Sequence, residues 1–175
     1  GYYIARYEAS YGKDGKANSK KSSNYSTLVA PTEEGTLWNF ITQPNAATAS
    51  QKMYGDNTLF TSDLTNSYAW DTAITFIQKF GGEQYQTYSR EIGTNINSNL
   101  TNTGENNDNP LNINDMAGNT SEWTTETNSR EDMPCTVTGG FYDETRNFAT
   151  NRYSCGIDDN DNGRVSFRPI LYIQN

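Results

Sequence analysis

Apolar residues recur at helical spacing in one long stretch of the chain. Trp70, Ala73, Ile74, Ile77 and Phe80 fall three or four apart and share one face, which predicts a helix over residues 67–80. Asn66 or Ser67 can cap its start, and Gly81-Gly82 can end it. A shorter helix is predicted over about 45–54, with Asn45 as its cap. Elsewhere the apolar runs are short and mixed. Residues 2–8 read as a strand, and further short strands are predicted around 122–126, 134–139, 148–153 and 165–173. Residues 9–29 hold few apolar side chains and read as an exposed loop or irregular hairpin. After a turn at 30–35, Trp38, Phe40 and Ile41 are expected to pack inward. Residues 83–110 are polar and rich in Asn, a long surface segment to which the pattern assigns no role.

A chain of 175 residues is long enough for one domain with a real core. Residues 1–175 are expected to form a single domain, the C-terminal one of a longer protein. Aromatics supply much of the apolar surface, with 12 Tyr, 7 Phe and 3 Trp, so the core should rest on aromatic anchors. The net charge of −8 opposes phosphate backbones and anionic membranes, so no nucleic-acid partner is expected. No apolar run approaches membrane-spanning length, so no membrane insertion is expected. The chain has no histidine, which removes Ser-His and Cys-His catalysis and His-ligated zinc. Its two cysteines are Cys135 and Cys155.

The run from Asn112 to Thr124, NINDMAGNTSEWT, holds the densest candidate chemistry. Gly118 and Asn119 favour a tight turn. The turn can bring the Asp115 and Glu122 carboxylates together with exposed carbonyls, a hard-oxygen set suited to Ca²⁺. The spacing is not that of an EF-hand. The same residues also read as a solvated turn with Trp123 in the core. A second acidic run, Asp158-Asp159-Asn160-Asp161-Asn162-Gly163, reads as a polar turn.

The 112–124 run resembles the "YDMAGNVWEWT" signature of the formylglycine-generating enzyme/sulfatase-modifying domain family. Three more stretches follow in the family's order. Tyr3-Ile4-Ala5-Arg6-Tyr7-Glu8 is similar to its first strand, Gly139-Gly140-Phe141-Tyr142 to its "RGGSW", and Ser166-Phe167-Arg168-Pro169-Ile170-Leu171 to its closing "GFRPVL". The resemblance implies an α+β, C-type-lectin-like fold of the formylglycine-generating subtype, with two helices against an irregular, mostly antiparallel sheet. It implies a structural calcium held by the Asp115 and Glu122 side chains and the Gly118 and Thr120 carbonyls.

Enzymes of that family oxidise a substrate cysteine with two cysteines of their own, which also hold copper. The corresponding positions here are Glu144 and a site near Ala149. The thiolate chemistry has no substitute among other side chains, so the chain is expected not to be an enzyme of this type. The alternative is a formylglycine-generating-type oxidoreductase, or another enzyme of the same fold, using Cys135 and Cys155 in a different geometry. The family pairs the strands that carry these two residues, which implies a cross-strand disulfide and an extracellular setting. Two reduced, buried thiols are the other reading.

Residues 141–164 have the Tyr-, Asn-, Asp- and Arg-rich composition of a binding surface. Phe148, Ala149 and Arg152 are expected to point inward. Tyr142, Asp143, Glu144, Arg146, Asn147, Tyr153, Asp158, Asp159, Asn160 and Asp161 are expected to face a protein or glycan ligand. The segment also resembles the C-terminal region of C-type-lectin-fold variable proteins, which retroelements diversify in phages and gut bacteria. That resemblance implies an adhesion or receptor-binding role on a phage tail or bacterial surface, as a trimer where the domain tips a fibre.

Overall fold

The computed structural model describes residues 1–88, 99–144, 148–159 and 162–173. Helix α2 (Ser67–Phe80) forms where the apolar spacing predicts it. The Asn66 side chain caps it, accepting from the Ala69 amide at 2.8 Å. Trp70, Ala73, Ile74 and Ile77 are buried, whereas Phe80 is 58% exposed. Phe80 shares the outer face with Phe76 one turn back, ring centroids 5.0 Å apart, so it covers the helix rather than the core. Helix α1 (Gln43–Lys52) begins ahead of the predicted Asn45. Thr42 is the cap, and Pro44 fits the first turn because its missing N–H would have had no partner there.

The strands are short. β1 (Tyr2–Ile4), β4 (Phe60–Leu64) and β9 (Pro169–Ile173) make an antiparallel sheet with β9 in the middle. β2 (Ser10–Tyr11) and β3 (Ala17–Asn18) form a small hairpin inside the predicted loop. β5 (Ser121–Thr127), β6 (Cys135–Thr138), β7 (Arg152–Cys155) and β8 (Val165–Phe167) form a second sheet in the order β7-β6-β5-β8. Only β5 and β8 run parallel in it. The predicted single strand over 165–173 is split at Arg168. The predicted strand over 148–153 lies further on, because Ala149 is buried and its carbonyl accepts from Trp70 Nε1 at 2.7 Å.

Two apolar clusters fill the interior. Trp123, Phe167, Val137, Leu64, Ile41 and Ala46 lie between the sheets and α1. Trp70, Ile74, Ile77, Tyr88 and Met116 lie under α2. Residues 113–124 run between the clusters, and their polar groups are therefore buried.

Candidate functional site

An arginine in a core must have its charge and its donors satisfied. Arg168, in the gap between β8 and β9, is wholly buried. Its Nε lies 3.1 and 3.0 Å from the two oxygens of Glu122, and Nη2 lies 2.6 Å from Glu122 Oε1. Glu122 stands on β5, where the parallel register with β8 sets it opposite Ser166. The rest of the guanidinium donates to the Ala5 carbonyl at 2.9 Å and the Asn114 carbonyl at 2.7 Å. One side chain thus ties the opening strand region, the 112–124 turn, β5 and the closing strands.

A second carboxylate, Glu8, holds the turn from the other side. It accepts from the Thr120 amide at 2.9 Å, the Thr120 hydroxyl at 2.5 Å and Asn119 Nδ2 at 2.7 Å. Asp108 accepts from the Tyr88 hydroxyl at 2.6 Å and the Ala117 amide at 2.9 Å. Asp115, with φ of 63°, accepts from the Gly104 amide at 2.6 Å and from Asn106 Nδ2 at 3.3 Å. Three buried carboxylates, Glu122, Glu8 and Asp115, therefore act on one buried guanidinium, and a fourth, Asp108, acts on Asp115. Burial, then the Asp115 and Glu122 charges, hold Glu8 well above the usual carboxylate range. Burial, reinforced by Asp108, pushes Asp115 up to about 7 against the Gly104 hydrogen bond. Burial also raises Glu122, while the Arg168 charge pulls the other way.

This arrangement bears on the calcium expectation. Asp115, Gly118, Thr120 and Glu122 lie in one buried turn, as the motif implies. Both Glu122 oxygens, however, are bonded to Arg168, and both Asp115 oxygens take bonds from Gly104 and Asn106. Among the described residues no group of three or more Cys, Asp or Glu side chains is placed to hold a metal ion. As placed, the donor set does not fit Ca²⁺, because a guanidinium already supplies the cation that Glu122 meets.

The predicted ligand-facing residues divide into two places. Tyr142, Asp143, Glu144 and Tyr153 gather around Phe141 and Arg164. Arg164 bridges to Asp143 at 2.5 Å and lies over the Phe141 ring, which meets Tyr153 edge-on at 6.2 Å. Burial raises the Tyr153 phenol, and Glu144 adds to it. Asp158 and Asp159 are exposed at the far end of β7, where Asp159 accepts from the Gly156 amide. Arg146, Asn147, Asn160 and Asp161 lie outside the described residues. Ala149 points inward as expected, but Arg152 does not. It lies at the surface and bridges Asp71 at 2.7 Å and Glu126 at 3.0 Å, because β7 is an edge strand there.

Cys135 and Cys155 are register partners across β6 and β7, the placement the expected disulfide needs, and both are free thiols here. Burial and then Asp159 raise both, Cys155 to about 11. Both are therefore protonated at neutral pH.

Glu8 and Arg168 stand inside the motifs quoted above, yet a lone charged residue gives no sign that it is buried. Asp108, Gly104 and Asn106 fall in the polar segment to which the pattern assigned nothing. Their signal was the neighbouring turn, whose buried N–H groups need acceptors.

Fold and buried hub together define an α+β domain of the C-type-lectin-like, formylglycine-generating type. Residues 13–169 match the sulfatase-modifying factor enzyme 1-like domain, and the chain belongs to that family. The fold is similar to the crystal structure of CarF, with a TM-score of 0.68 and 15% identity over 99% of this chain and 87% of that one. No curated protein matches the chain. Among the described residues no helix is long and apolar enough to cross a membrane.

Proposed function

We propose that this is a non-catalytic ligand-binding domain that presents its C-terminal loops to a protein or glycan on a cell surface. One observation carries the reading. The positions that resemble the family's cysteines are Glu144, beside Tyr153, and a site near Ala149, a residue that is fully buried and fastened to Trp70. Burial and Asp159 raise the thiols the chain does have, which disfavours the nucleophilic thiolate that oxidase chemistry needs. What remains at that face is an aromatic pair, Phe141 and Tyr153, beside Asp143, Glu144 and Arg164, the make-up of a binding surface.

The finer reading is a variable protein diversified by a retroelement and displayed outside the cell, on a phage tail or a bacterial surface. Sequencing the 3′ end of this gene across sibling genomes tests it. Substitutions concentrated at residues 142–161, with 112–124 and 166–171 constant, are expected. Evenly spread variation overturns the diversification. A peptide-cysteine oxidation assay with copper present tests the enzyme alternative; no turnover is expected, and turnover would overturn the non-catalytic reading.

A further inference from the structure

We propose a second, smaller binding site on the opposite half of the chain, a cleft that takes a saccharide ring. The cleft lies between the β2–β3 hairpin, residues 30–42 and α1, and its volume is about 350 Å³. That is at the low end of small-ligand pockets and too small for a folded partner. One wall is aromatic. Tyr11 meets Trp38 edge-on at 4.7 Å, and Phe40 continues the wall. The facing wall is polar. Asn45, Thr48 and Lys52 line it from α1, spaced three and four apart, so they share one exposed face of that helix.

The aromatic wall is fixed before any ligand arrives. Phe40 is held at φ of 53°, a conformation that a bulky side chain rarely adopts. Contacts on both sides impose it. The Trp38 amide donates to the Ala9 carbonyl at 2.9 Å, and Trp123 Nε1 donates to the Ile41 carbonyl at 2.8 Å. Asn39 Nδ2 donates to the Ser26 and Gly163 carbonyls. A rigid wall lowers the ordering cost of binding.

An apolar wall facing three hydrogen-bonding side chains suits a hydroxylated ring. The C–H face of a sugar packs on aromatic carbon, and its hydroxyls exchange hydrogen bonds with Asn45, Thr48 and Lys52. A purely apolar ligand would cover Asn45 and Lys52 without replacing their hydrogen bonds to water, whereas Thr48 keeps its bond to the Pro44 carbonyl at 3.0 Å. A polyanion would be repelled by the net charge of −8.

Trp38 is the tryptophan that lines the cleft, whereas Trp70 and Trp123 are 0% and 1% exposed, so a ligand there perturbs the emission of Trp38 directly. Intrinsic fluorescence is titrated with glucose, N-acetylglucosamine and glucuronic acid to about 50 mM, the range expected for one ring in an open cleft. A saturable change with at least one sugar is expected. Asn45→Ala and Lys52→Ala, both at exposed helix positions, are expected to weaken it about three- to tenfold each. No saturable response to any sugar, or a response unchanged in both variants, overturns the proposal, as does saturable binding of indole alone. Tyr153→Ala is expected to leave the response unaltered, so failure here is separable from failure of the C-terminal face.

Discussion

Arg168 and Glu122, 46 residues apart, form a fully buried, two-pronged ion pair at the centre of the domain. The guanidinium also carries the carbonyls of Ala5 and Asn114, so three distant segments share one side chain. A buried pair of this kind is weakly stabilising as a unit, but removing one member leaves the other charged and unpaired. Arg168→Met is therefore expected to cost about 3–5 kcal/mol in urea unfolding. Arg168→Lys keeps the charge but loses the planar fork, and is expected to fall between wild type and Arg168→Met. A cost under about 1 kcal/mol for Arg168→Met would mean that the hub does not tie the segments.

The same pair sets the expected response to calcium. Ca²⁺ would have to displace Arg168 from both Glu122 oxygens and strip Gly104 and Asn106 from Asp115. Thermal melts in millimolar Ca²⁺ and in chelator are expected to agree within about 1 °C. A ligand bound at a hundred times its Kd would add about 2.7 kcal/mol, several degrees for a domain of this size. A shift of that order would show that the hub rearranges around the ion.

The sequence makes the frame of the domain readable and hides its hub, for a physical reason. Helix α2 announces itself because local spacing alone places Trp70, Ile74 and Ile77 on one face. β4 does not, because Phe60-Thr-Ser-Asp-Leu64 alternates too weakly to stand out from a loop. Glu8 and Arg168 are visible as letters, but only long-range contact buries them; Glu8 meets Thr120 across 112 residues. Arg152 misleads in the opposite direction, an arginine expected to point inward that ends on the surface between Asp71 and Glu126. Charge without a partner in view is read as exposed by default, and partners so far apart in sequence are not in view.

Asp115 gives the fold a pH dependence with a definite sign. Its folded pKa of about 7 lies above the unfolded value near 4. The folded state therefore keeps a proton that the unfolded chain releases. Its contribution is complete below about pH 4 and is lost as the pH rises through 7. Glu8, also raised, acts in the same direction. Urea midpoints are expected to fall between pH 5.5 and 8, and Asp115→Asn, which cannot ionise, to flatten that slope. An unchanged slope in the variant would remove Asp115 as its source.

Cys135 and Cys155 are opposed in an antiparallel pair. Such residues lie about 4.5–5.5 Å apart at Cα, within the span of a disulfide. With both thiols raised by burial, labelling by iodoacetamide is expected to be slow at pH 7 and to rise as the pH approaches the raised thiol values. Oxidation by a small disulfide such as oxidised glutathione proceeds by exchange: a mixed disulfide forms, the second thiolate displaces glutathione, and two reduced glutathiones leave. The product is about 2 Da lighter than the dithiol and closes a loop of about 20 residues, worth about 3 kcal/mol. Cys155→Ser is therefore expected to lower the melting temperature of oxidised protein by several degrees, and to leave that of reduced protein nearly unchanged. If intact mass shows two thiols after prolonged oxidation, the pair is structural filler for the first apolar cluster rather than a cross-link.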